Sequence, residues 1–169
     1  MSALLIATLQ VLLNLLALDN APSAQLEHPR VVTHLMAVAE AIAEAPAPYR
    51  VRLIALAYEE SRFGYAYAFR GEPIKNGAGA CGVYQQIPKF AEGGATTCAK
   101  LQDAKEATRQ AVAYLRYVER RWKARSTASM DKAICHYFSG NRCDDKEALA
   151  YAKRHTKTRK KAQRLIASR

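Results

Sequence analysis

The chain has 169 residues, 50% of them hydrophobic, with 8 Gly and 6 Pro and no fixed repeat, which fits one domain able to bury a core and excludes collagen-like, disordered and solenoid architectures. Lys and Arg outnumber Asp and Glu by 26 to 15, for a formal charge of +11. The first hundred positions balance at eight basic and eight acidic residues, so the whole excess lies between Leu101 and Arg169. Such a surface attracts polyanions: nucleic acid, anionic lipid or an envelope polymer.

In chain order, the apolar run Leu4 to Leu18 comes first, interrupted by Thr8, Gln10 and Asn14. It is shorter than the roughly 20 residues of a spanning helix. No Lys or Arg precedes it, and Pro22 sits awkwardly for signal cleavage after Ala24. Residues 1–24 therefore read as an apolar helix that anchors, docks on a protein or membrane partner, or serves as an imperfect signal. Val31, Val32, Leu35, Ala39 and Ile42 predict a helix over 31–45, ended by Pro46 and Pro48. A second helix is predicted over Tyr49 to Ser61, apolar except for a narrow polar strip. Most of the glycines fall between Gly64 and Gly94, which predicts a loop-rich lobe with short helices or a small hairpin. Helical spacing returns at Ala107 to Trp122 and at Met130 to Phe138, the latter with Ser129 as expected N-cap. From Lys153 to Arg169 there are eight basic residues and no acidic one, which reads as a basic tail over 151–169, solvated or attached to an anionic surface. The expected fold is mainly α, with 25–150 as the main domain.

One carboxylate stands out. At about 100° per helical residue, Glu59 projects beside Arg52 on the polar strip, whereas Glu60 projects between Leu53 and Leu56. Burial and the negative helix end both raise a carboxyl pKa, and a carboxylic acid protonated near neutrality suits proton donation to a glycosidic oxygen. A buried Glu satisfied by an Arg, a Tyr or a backbone group has the same pattern.

Leu53-Ile54-Ala55-Leu56-Ala57-Tyr58-Glu59-Glu60-Ser61-Arg62-Phe63 resembles the Glu-Ser motif of the lytic transglycosylases of the lysozyme superfamily. Gly79-Ala80-Cys81-Gly82-Val83-Tyr84-Gln85-Gln86-Ile87-Pro88 resembles their Gly-Ala-x-Gly-Leu-Met-Gln segment, and Cys135-His136-Tyr137-Phe138-Ser139-Gly140 their Ala-Tyr-Asn-x-Gly segment. The three motifs stand in the family's order and span roughly half of the chain. Tyr84 occupies the usual Met position and Phe138 the usual Asn position. The resemblance implies a lysozyme-like α+β fold with a helical lobe and a small Gly-rich loop or hairpin lobe. It also implies Glu60 as single acid/base, with Ser61, Gln85, Tyr84 and Tyr137 around the sugar and no metal or cofactor. The implied substrate is peptidoglycan, and the implied site of action the periplasm or cell wall, with delivery in a phage virion or by secretion. A goose-type lysozyme would act on the same bond with water, and Glu72 is the only carboxylate between Glu60 and Gln85 to position it.

Four cysteines allow three pairings. The sequential one, Cys81 with Cys98 and Cys135 with Cys143, would brace both walls of the implied site and suit an oxidising compartment. Zinc is the competing use, but no Cys-x-x-Cys is present. From another functional class, a nucleic-acid binder could use Tyr114, Tyr117, Trp122 and Tyr151 beside the basic stretch.

Overall fold

Ala3 to Leu18 folds back on the domain because one side of it is made of Val11, Leu12, Leu15 and Leu16, all fully buried. We describe this helix, α1 (Ala3–Leu18), and the rest of the chain from a computed structural model covering residues 2–91, 96–124, 126–140 and 143–168. The end of the expected glycine-rich stretch, Gly93 and Gly94, lies outside the described residues, as do Met1 and Arg169. After α1 come α2 (Ser23–Leu26), α3 (Pro29–Glu44), α4 (Ala47–Ser61), α5 (Tyr65–Arg70), α6 (Cys98–Leu101), α7 (Ala104–Arg121), α8 (Thr127–Ala133), α9 (Cys135–Ser139) and α10 (Lys146–Ala167). The protein is mainly helical, at 74% helix. Among the described residues, extended pairing is confined to isolated bridges of Cys81 with Lys75 and with Gln86.

Local chemistry explains the boundaries. Pro29 opens α3 at a position where its missing N–H costs nothing, and Pro46 directs the chain into α4. Asp103 caps α7 by accepting from the Glu106 amide at 2.8 Å. The expected helix over Met130 to Phe138 is two, α8 and α9, joined at Ile134. Its cap is Ser126, not Ser129: Ser126 accepts from the Ser129 amide at 3.1 Å, and Ser129 returns a bond from the Ser126 amide at 2.9 Å. That reciprocal pair is a capping box with serine in place of Glu.

One apolar core runs through the molecule. Leu35, Val38 and Ile42 of α3, Leu53, Ile54 and Leu56 of α4, and Leu115 and Val118 of α7 are enclosed together with α1. Among the described residues, no helix is long and apolar enough to cross a membrane.

The expected tail at 151–169 requires correction, because the boundary falls inside α10. That helix packs against α4, α8, α9 and α1, burying Ala148, Tyr151, Ala152, His155, Thr158, Arg159 and Ala162. Its outer face leaves Lys153, Arg154, Lys157, Lys160 and Arg164 exposed. The polar strip of α4 changes meaning with it. Arg52 is buried and donates to Asp131 at 2.9 Å, while Arg159 grips the same carboxylate at 3.0 and 2.9 Å. The strip is therefore the seam between α4, α8 and α10, where each buried charge meets its opposite.

Candidate active site

Glu60 occupies the last turn of α4, and the backbone beyond it turns abruptly. Arg62, Phe63 and Gly64 follow one another in the left-handed region, at φ 52°, 58° and 72°. Gly64 is required there on space as well as φ, because a Cβ would stand 2.3 Å from Ile74 Cδ1. Arg62 holds the turn by donating to the Tyr58 carbonyl at 2.7 Å and pairing with Asp19 at 2.7 Å.

The segment Cys81 to Gln86 closes on itself through two backbone bonds of 2.9 and 3.0 Å. Gly82 makes that turn possible: its φ is +70°, and a Cβ would meet the Leu101 carbonyl oxygen at 2.0 Å. Ser61 and Tyr137 clamp the segment from two elements. Ser61 Oγ donates to the Val83 carbonyl at 2.7 Å, and the Tyr137 hydroxyl to the Tyr84 carbonyl at 2.9 Å. Two disulfides, Cys81–Cys98 and Cys135–Cys143, tie the turn to α6 and close α9 onto the start of the next connection. The described cysteines thus pair sequentially, as expected.

Glu60 receives one strong bond in this frame, from the Tyr151 hydroxyl of α10 to Oε1 at 2.6 Å. Burial pushes its carboxyl up to about 7, with the neighbouring Glu59 charge acting the same way, while the Tyr151 bond and Arg154 oppose the shift. Glu59, expected beside Arg52 on the polar strip, pairs elsewhere. Its side chain is only 6% exposed, accepting from Thr158 Oγ1 at 2.5 Å and pairing with Arg154 at 3.5 Å. The two adjacent carboxylates are thereby given different surroundings: one held between a hydroxyl and a guanidinium, the other desolvated and held by a phenol.

The residues singled out from sequence do not share one fate. Glu60 stands at the junction of α4, α9 and α10, with its charge felt by the half-buried Tyr137. Ser61 and Tyr137 are beside it, but their hydroxyls are spent on backbone carbonyls, so they shape the site. Gln85 is half-buried at φ 46°, and its Nε2 donates to the Gly82 carbonyl at 3.0 Å. Tyr84 does not line the site: it is fully buried, and its hydroxyl meets Thr108 Oγ1 of α7 at 3.1 Å. Turned inward by the tight 81–86 turn, it is core. Glu72 is more than half exposed and pairs with Arg70 at 2.7 Å.

Tyr151 and Thr158 were not singled out for the site from sequence. The signal was present in the 3–4 spacing of Ala148, Tyr151, Ala152, His155 and Ala162 within a segment dominated by its charge. Of the other aromatics, Tyr114 donates to the His136 carbonyl at 2.8 Å and packs edge-on to Tyr137, and Trp122 stacks on His136 at 3.6 Å. Tyr117, 44% exposed, is the outward member of that cluster.

Cys135, His136 and Cys143 bring donor atoms within 4.8 Å of one another, but both sulfurs are committed to their disulfide, which is poor zinc chemistry. A surface groove of about 440 Å³ between the end of α3 and α7, lined by Glu44, Lys105, Arg109, Arg116 and Arg120 among others, shares no residue with the Glu60 cluster. Compared with known proteins, the chain matches no family model, no curated protein and no solved structure.

Proposed function

We propose that this protein is a peptidoglycan lytic transglycosylase, with Glu60 as its acid and base. The observation that carries the reading is the desolvated Glu60, raised to about 7 and oriented by Tyr151, within a frame built from the three motif segments. Protonated Glu60 gives its proton to the oxygen bridging N-acetylmuramic acid and N-acetylglucosamine, and the bond from that oxygen to the muramic acid C1 breaks. The carboxylate then takes the proton of the muramic acid's own C6 hydroxyl as that oxygen bonds to C1. The products are a free N-acetylglucosamine end and a 1,6-anhydro end, and Glu60 regains its proton.

Because the nucleophile belongs to the substrate, a single carboxyl suffices, unlike ordinary retaining and inverting glycosidases. The pairing of Glu72 with Arg70 and of Glu59 with Thr158 and Arg154 favours this chemistry over hydrolysis. The exposed cations of α10 are suited to teichoic acid or lipopolysaccharide near the substrate, an attachment that weakens as salt rises. The disulfides fit action in the periplasm or cell wall, with delivery by a phage particle or by secretion. The outward Leu4, Ile6 and Leu18 of α1 offer a contact for a protein or membrane partner. Nucleic-acid binding is the weaker reading, since Tyr151 is turned onto Glu60 and Tyr114 onto α9 rather than towards a bound strand.

Digestion of purified cell walls by the parent and by Glu60→Gln tests the proposal. The expected parent products carry an anhydro end, one water lighter than hydrolysed ones, and the variant yields none while staying folded. Equal clearing by Glu60→Gln overturns the assignment of the acid, and reducing-end products overturn the transglycosylase chemistry.

A further inference from the structure

Phe138 is 48% exposed in α9. One face of its ring stacks on Tyr151, with centroids 5.2 Å apart and planes inclined by 23°. Tyr151 is the donor to Glu60, so a single aromatic ring separates this exposed surface from the acid. Arg154 lies 5.9 Å from the centroid of the same Tyr151 ring, so Phe138 is an apolar surface in a charged neighbourhood.

Its position is also fixed. The preceding Tyr137 is tied to the Tyr84 carbonyl, Ser139 Oγ donates to the Cys135 carbonyl at 3.1 Å, and the Cys135–Cys143 bridge closes the segment. An outward aromatic ring held this firmly next to polar groups has the form of a recognition surface: a flat apolar plate that orients a ligand whose other edges are read by hydrogen bonds. A pyranose matches it, having one face of C–H groups and a polar rim.

We infer that Phe138 is a sugar-stacking platform, on which the C–H face of an N-acetylated hexose of the glycan strand packs beside Glu60. The inference rests on the glycan-cleaving reading and adds to it the residue that grips a ring. Phe138 binds ring faces, so it acts on affinity and leaves the titration of Glu60 alone.

The test uses the β-1,4-linked tetramer of N-acetylglucosamine, titrated calorimetrically into Glu60→Gln protein with and without a second change at Phe138. Phe138→Ala is expected to weaken binding about threefold to tenfold, the range of one lost aromatic contact, and Phe138→Tyr to bind within about twofold of the parent ring. In the Glu60 background, Phe138→Ala should raise KM for cell walls by a similar factor and leave the pH dependence of kcat in place. Unchanged tetramer affinity overturns the inference, and so does a shifted pH profile with unchanged KM, because Phe138 would then serve only to support Tyr151. Failure of the parent to cleave walls or bind the tetramer removes the functional reading and this one together. Cleavage lost in Glu60→Gln, combined with parent-like affinity in Phe138→Ala, removes this one alone.

Discussion

Tyr151 donates its phenolic hydrogen to Oε1 of Glu60 across 2.6 Å and across 91 positions of sequence. The bond joins the middle of α10 to the last turn of α4, and it favours the ionised carboxylate against the burial that opposes it. The titration of Glu60 is thus held near neutrality by two opposed effects, which suits the acid-then-base role proposed for it.

Removing the phenol should disturb that balance in a known direction. In Tyr151→Phe the carboxylate loses its donor, so the pKa of Glu60 rises further and the alkaline limb of the wall-cleavage profile moves to higher pH. A hydrogen bond to a charged group contributes about 1.5–3 kcal/mol, so the expected loss in kcat is about tenfold to a hundredfold. A profile unmoved at the alkaline side would show that Tyr151 does not govern Glu60.

Glu60 also sets a pH dependence of stability. Its carboxyl titrates near 4.3 in an unfolded chain and at about 7 in the folded protein, among Glu59, Arg154, Tyr151 and Tyr137. The folded state therefore binds more protons across that window, and ionised Glu60 destabilises it progressively as pH rises from about 4.3 to about 7. Glu60→Gln, which keeps an acceptor for Tyr151 without the charge, should have a higher Tm than the parent at about pH 8 and little advantage at about pH 4. Cleavage by the parent should fall about tenfold per pH unit above the pKa, as the acid form is lost. Equal Tm differences at both pH values would contradict the assignment.

Asp131 is the only carboxylate bound by both Arg52 and Arg159 among the described residues. Burial raises its pKa, but the bonds from Arg159 and Arg52 outweigh it and hold the carboxyl below the usual range. Asp131→Ala leaves two buried guanidinium groups facing each other, a change that costs about 3–5 kcal/mol. Urea unfolding should show that loss as a lower midpoint, and detachment of α10 should lower the activity carried by Tyr151 in parallel.

The two disulfides should contribute unequally. Cys81–Cys98 joins positions 17 apart and Cys135–Cys143 positions 8 apart, and loop-closure entropy grows by about 0.6 kcal/mol per doubling of loop length. Replacing the first pair by serine should therefore cost about 0.6 kcal/mol more than replacing the second, on a base of about 3 kcal/mol for a 15-residue loop. Denaturant unfolding of the two double-serine variants measures the difference. A larger loss from the shorter loop would mean that native packing around Tyr137, not chain entropy, dominates.

The sequence by itself determined what depends on neighbours within a few residues. The 3.6-residue period and the prolines located α3, α4 and α7 to within a few positions, and the angle between Glu59 and Glu60 separated the two carboxylates. The glycines marked an irregular stretch, whose Gly64 and Gly82 have the positive φ that only glycine adopts freely. The tertiary structure decided what depends on partners far along the chain. Whether Tyr84 faces ligand or core turned on the direction of a six-residue turn and on Thr108 of α7, 24 positions away.

The basic C-terminal segment shows the difference most clearly. Its charge at Lys153, Lys157, Lys160 and Arg164 is legible in sequence because exposed cations need no partner. The same helix buries Tyr151, Thr158 and Arg159, and each is explained only by Glu60, Glu59 or Asp131 on another element. Desolvation belongs to a place in space rather than to a residue, so the raised pKa of Glu60 exists only once α10 closes over α4.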